Sequence, residues 1–207
     1  MGKRQSLFLV RALLLLSGVL WGNWYFGMDS IGWGEPGSAR YARYELYNRI
    51  APAVFLVLIV ATQKAHRVLR NRYSRWGGAG CHFASAGLAV MALGSALEFW
   101  LFTESSYGAG SLRGLGWGTY CIGLLLFYIG TAIFGAVLRR LPGLHVAGLL
   151  FMLWLPAGAL LGGVNVLLGI RLSMFSVAVA LCGAGYVLLG LRLPHTLRAP
   201  ATESVVV

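Results

Sequence analysis

The chain has 207 residues, of which 58% are apolar and 11% charged, with a formal net charge of +11. A soluble domain carries about 25% charged residues, so this composition excludes an ordinary water-soluble globule. The high charge is no evidence for nucleic-acid binding, because most of it falls on one side of the long apolar runs.

A run of ~18 or more apolar residues can cross the hydrocarbon core as a helix. Six such runs are marked: Leu7–Gly27, Tyr47–Ala65, His82–Phe102, Leu115–Leu138, Leu144–Leu168 and Leu172–Leu191. Lipid offers backbone groups no hydrogen-bonding partner, so each is expected to be helical. They lack the period-2 alternation of a barrel strand.

In chain order, Lys3 and Arg4 precede the first run, as they would in a signal peptide. The run is long, Arg11 interrupts its start and no A-x-A site follows, so it is read as a retained span with Arg11 snorkelling to the headgroups. The connection from Met28 to Asn48 contains Tyr41, Tyr44 and Tyr47 at spacing three, which suits a short interfacial helix with Tyr at headgroup depth. Pro52 is placed in the first turn of the second span, with Asn48 as its cap. Lys64, Arg67, Arg70, Arg72 and Arg75 follow that span. This polybasic segment is expected to attract anionic lipid. Pro156 should kink the fifth span and free backbone carbonyls there. The bundle is taken as residues 1–195, with 196–207 a short cytoplasmic tail.

Twelve of the 17 Lys and Arg residues fall on the side of the chain termini. The other side holds Arg40, Arg43, Arg49, Arg113 and Arg171, nearly cancelled by Asp29, Glu35, Glu45 and Glu104. The positive-inside rule then puts both termini in the cytoplasm. The excess of Arg over Lys, 15 to 2, together with abundant Gly and Leu suggests a GC-rich bacterial genome, hence the cell inner membrane. The expected fold is all-α: a polytopic membrane protein with six transmembrane helices in one bundle, N-in/C-in.

Small residues at spacing four mark close helix contacts. Gly18 and Gly22, Gly158 and Gly162, and Ser176, Ala180 and Ala184 are the expected seams.

Glu98 is the one carboxylate inside a span, about a turn from the outer end of the third. An intramembrane acid is a functional candidate by default. Asn23, Asn165 and Arg113 are expected at similar depth, with Trp24 and Trp100 among several Trp residues of that end. Two structural readings compete with a pocket: an ion pair with Arg113 or Arg49, and snorkelling to the headgroups. His66, His82, His145 and His195 are all assigned to the inner edge. They give a weaker metal or haem alternative that lacks accompanying acids. Cys81, Cys121 and Cys182 lie at three depths without a C-x-x-C pair, so neither a disulfide nor a zinc site is expected.

No H-E-x-x-H, Walker A or G-x-S-x-G motif is present, and no enzyme or cofactor is expected. The leading expectation is a non-enzymatic inner-membrane protein that binds or transports a small polar or cationic solute at an outward pocket around Glu98. The alternatives are an accessory subunit of a larger membrane complex and a haem- or metal-dependent enzyme using the histidines. Lipid is the expected partner. Neither the solute nor any protein partner is encoded in a recognisable motif.

Overall fold

The computed structural model describes residues 3–31, 38–101, 112–167 and 174–198. All elements among them are helical: α1 (Lys3–Ile31), α2 (Ala39–Leu69), α3 (Arg75–Ala96, continued by a π-helical turn Leu97–Leu101), α4 (Leu112–Leu138), α5 (His145–Leu167) and α6 (Met174–Arg198). Five are long and apolar enough to cross a membrane, and α5 is an apolar helix over His145–Leu161. Large apolar side chains such as Phe8, Leu56, Leu115 and Leu160 are exposed, as lipid-facing residues are and as a water-facing surface would not tolerate in such number.

Each helix packs on its neighbours in sequence, and α6 closes on α1. The six therefore form a ring. Its centre is filled by rings from different helices. Trp21 of α1 meets Phe55 of α2 at 5.9 Å and Phe127 of α4 at 5.4 Å between centroids. Phe127 in turn meets Trp154 of α5 at 5.8 Å, and Phe151 meets Tyr186 of α6 at 4.9 Å. Two polar bridges stitch the core: the Thr62 and Tyr186 hydroxyls at 2.8 Å, and Trp154 Nε1 donating to Thr131 Oγ1 at 3.0 Å.

The tightest seam, between α3 and α4, is built from glycine at spacing seven. Gly80, Gly87 and Gly94 of α3 oppose Gly130, Gly123 and Gly116 of α4. A Cβ at Gly80 would sit 2.6 Å from Phe134 N, and one at Gly116 would sit 2.7 Å from Glu98 N. The obstacle is backbone in each case, so neither helix can yield by moving a side chain. Seams at spacing four fare differently. Gly18 does lie on the α1–α6 contact, against Gly183. Gly22 has open space where a Cβ would go. On α6, Ser176 is buried but Ala184 is exposed, so that stripe turns out of the contact. Gly158 is buried, and the surroundings of Gly162 lie outside the described residues.

The expected interfacial helix and second span are one continuous 31-residue helix. Ser38 caps it, its hydroxyl accepting from Tyr41 N at 3.1 Å. Asn48 is therefore no cap. It lies within α2, with its amide donating to Tyr44 O at 2.9 Å. Pro52 accordingly sits in mid-helix. A helical proline has no N–H to give the carbonyl four residues earlier, and that carbonyl must find another donor or be stranded in lipid.

Among the described residues three prolines lie inside helices, and the neighbouring helix supplies that donor each time. Pro52 frees Asn48 O, which accepts from Ser95 Oγ of α3 at 2.9 Å. Pro156 frees Met152 O, which faces Tyr128 OH of α4 at 3.5 Å. Pro194 frees Gly190 O, which faces Arg11 Nε of α1 at 3.4 Å. Arg11, expected to snorkel to the headgroups, also makes this contact into α6. Pro194 lies inside α6 because that helix runs seven residues past the expected end at Leu191.

Two outcomes test these packing rules by thermal unfolding in detergent. Gly87→Ala should destabilise by about 1–3 kcal/mol, the cost of overpacking. Gly22→Ala should be neutral or stabilise by up to about 1 kcal/mol through helix propensity. In a second experiment, Ser95→Ala should cost about 0.5–2 kcal/mol. Most of that cost should vanish in a Pro52→Ala background, where residue 52 regains its N–H. Equal costs in both backgrounds would show that the Ser95 contact does not serve the proline.

Candidate functional site

Glu98 sits in the π-helical turn that ends α3 and is buried, at 3% exposure. A π turn inserts one residue into the helix and such turns recur at functional sites. Here both Glu98 and Phe99 are buried, and Phe99 meets Tyr44 of α2 and Arg113 of α4. The Glu98 backbone rests on Gly116 of α4, where only glycine leaves room.

Arg113 lies three residues before Gly116 on α4, which places both on one helix face. It too is 3% exposed. Its guanidinium lies 5.5 Å from the ring centroids of both Tyr41 and Phe99, and it donates to the Tyr41 hydroxyl. Tyr44, one turn along α2, stacks edge-on to Phe99 at 5.8 Å. Both Glu98 and Arg113 act electrostatically on Tyr44, and Glu98 also acts on Cys121. A buried acid, a buried guanidinium and two phenols therefore share one region of the bundle. Tyr41 is 7% exposed and packs against Arg113, so its side chain faces the bundle.

Arg49 is engaged elsewhere. It pairs with Glu45 at 3.1 Å, one turn back on α2, and its Nε donates to Phe99 O at 3.1 Å. Trp100 Nε1 returns a bond to Arg49 O at 3.1 Å. The proline-weakened part of α2 and the π turn of α3 thus exchange hydrogen bonds in both directions. A cavity of about 230 Å³, lined by Arg49, Phe99 and Trp100, lies beside this exchange.

Of the residues marked from sequence, Glu98, Arg113 and Trp100 fall in this region. Asn23 is exposed on α1 and makes no described contact with it. The side chains of Asn165 and Trp24 lie outside the described residues. Tyr41, Tyr44, Asn48 and Ser95 were not marked as site residues. The triplet spacing of the tyrosines was visible, but a helix at the interface was expected to turn them outward.

At the basic end, His66 and His82 meet edge to face at 5.2 Å, and His66 Nδ1 shares a 2.7 Å hydrogen bond with the Tyr73 hydroxyl. Tyr73 lies in the α2–α3 turn. Burial pushes its phenol far above the ordinary range, so it stays neutral at physiological pH. His145 and His195 are both exposed. Among the described residues, no three His, Cys, Asp or Glu side chains come close enough to hold a metal ion. Cys81 and Cys182 are buried free thiols, and Cys121 is a half-buried one.

The Arg113 contacts predict an asymmetric response. Arg113→Ala should lower stability by about 3 kcal/mol or more, as loss of a buried charged partner does. Arg113→Lys keeps the charge but not the planar face beside Tyr41 and Phe99, and should recover only part of that loss. Full recovery by Lys, read by thermal unfolding, would reduce the role of Arg113 to its charge.

No family model, curated protein or solved structure matches this chain.

Proposed function

We propose that the chain is a non-enzymatic, multi-pass protein of a bacterial inner membrane, with six spans and both termini in the cytoplasm. In this reading it binds a small polar or cationic solute on its outer side, with Glu98 as the charged anchor. The observation that carries it is the buried carboxylate on a π turn. Burying an acid in a membrane bundle is costly, and interrupting a helix to aim it inward adds to that cost. A cavity lies beside the π turn at Arg49, Phe99 and Trp100, and Trp100 would form an aromatic wall there. The ring centre is closed by Trp21, Phe55 and Phe127, which favours binding over free passage in this conformation.

The second reading is a structural one, in which Glu98 and Arg113 tie helix ends together within an accessory subunit of a larger complex. The close fit of Arg113 between Tyr41 and Phe99 favours it.

One variant separates them. Trp100 fluorescence of the purified protein should change saturably with small amines, from methylammonium to choline. Glu98→Gln should weaken that response at least tenfold while the unfolding temperature holds. If Glu98→Gln instead lowers the unfolding temperature and leaves amine binding untouched, the solute reading fails. Recovery of a stable heteromeric complex in mild detergent would then support the structural one.

A further inference from the structure

A second feature lies at the opposite, basic end. A groove of about 470 Å³ runs between α5 and α6, lined by Gly143, His145, Val146, Ala147, Leu188 and Arg192. That volume falls in the range of small-molecule sites, about 300–1,000 Å³. Its wall is almost wholly apolar, which suits a hydrocarbon chain and not a hydrated ion. Its polar rim is cationic. Arg192 and His145 are both exposed there, and His145 Nδ1–H donates to Arg139 O at 3.2 Å, which leaves Nε2 of the neutral ring as an acceptor. The segments 139–145 and 188–198 contain Arg139, Arg140, Arg192 and Arg198 and no acid at all. An ammonium-bearing headgroup would find no counter-charge, whereas a net anion would.

The groove is also shaped in advance. Gly143 takes φ 78°, a conformation that side chains resist, which turns the chain sharply between α4 and α5. Thr196 Oγ1 of α6 donates to Pro142 O at 3.0 Å, fixing that turn to the far wall. A ligand entering the groove therefore need not order it, and preorganisation of this kind raises affinity.

We propose that this groove binds one anionic phospholipid, its phosphate held by Arg192, a headgroup hydroxyl donating to His145 Nε2, and one acyl chain laid on Val146 and Leu188. None of the residues lining it belongs to the polybasic α2–α3 connection. It rests on the membrane reading but not on the role of Glu98. The shared chemistry is a phosphate monoanion, and the apolar wall selects a lipid over free phosphate.

The test uses the full chain in a zwitterionic detergent, titrated with phosphatidylglycerol, phosphatidylcholine or inorganic phosphate, and bound molecules are counted by native mass spectrometry. The wild type should retain one phosphatidylglycerol at least fivefold more tightly than phosphatidylcholine. Arg192→Ala should lose about fivefold, the factor one interfacial basic residue supplies, and Arg192→Lys should keep most of the affinity. Val146→Trp fills the groove without altering charge and should abolish retention. Val146 is exposed, so this variant should fold, and its unfolding temperature checks that it does. Equal retention of the two lipids, or phosphatidylglycerol retention unchanged in both Arg192→Ala and Val146→Trp, overturns the proposal. Displacement of phosphatidylglycerol by an equal concentration of inorganic phosphate would mark a free-anion site and overturn the lipid assignment.

Discussion

A backbone carbonyl that loses its helical partner inside a bilayer has no water to turn to. This chain creates that problem three times, at Pro52, Pro156 and Pro194, and answers it three times with a donor from the next helix: Ser95, Tyr128 and Arg11. The donors fall on alternate seams of the ring, α2–α3, α4–α5 and α6–α1. Helix pairing here is therefore more than surface fit. Each of these seams repairs a defect that one helix cannot repair alone.

The other source of order is glycine. Where α3 and α4 meet, three glycines on each side remove side chains from the contact, so backbone approaches backbone and dispersion acts at short range. The approach has a consequence at the outer end. Gly116 brings α4 against Glu98, and Arg113 one turn away reaches Tyr41 and Phe99. The candidate site is the continuation of a glycine seam, and its geometry depends on that seam holding.

The helical class was legible from apolar run length, because lipid allows little else; the helix ends were less so, with α2 beginning eight residues before Tyr47 and α6 running seven past Leu191. Glu98 was legible too, since one acid in an apolar span stands out. Its neighbours were not. Tyr41 and Tyr44 read as part of a separate interfacial helix, whereas α2 is continuous from Ser38 and packs Tyr41 against Arg113. The glycine ladder escaped a search at spacing four, although Gly80, Gly87 and Gly94 repeat at seven, as do Gly116, Gly123 and Gly130. The proline donors could not be read at all. Pro156 announces a free carbonyl, but naming Tyr128 as its donor requires knowing that α4 lies beside α5 and how the two are registered.

The proline contacts also bear on the order in which the ring is built. Chains enter the membrane from the N-terminus, and helices insert before they associate. When α5 and α6 arrive, Tyr128 and Arg11 are already in place on earlier helices, so Met152 O and Gly190 O meet their donors on entry. Pro52 has the opposite situation. Asn48 O must wait for Ser95, which lies on the helix made next. During synthesis α2 is thus the one proline helix that enters with its carbonyl uncovered, and α3 is the segment whose arrival relieves it. The hairpin of α2 and α3, joined by the short turn at Arg70–Ser74, is then the natural first pair to associate.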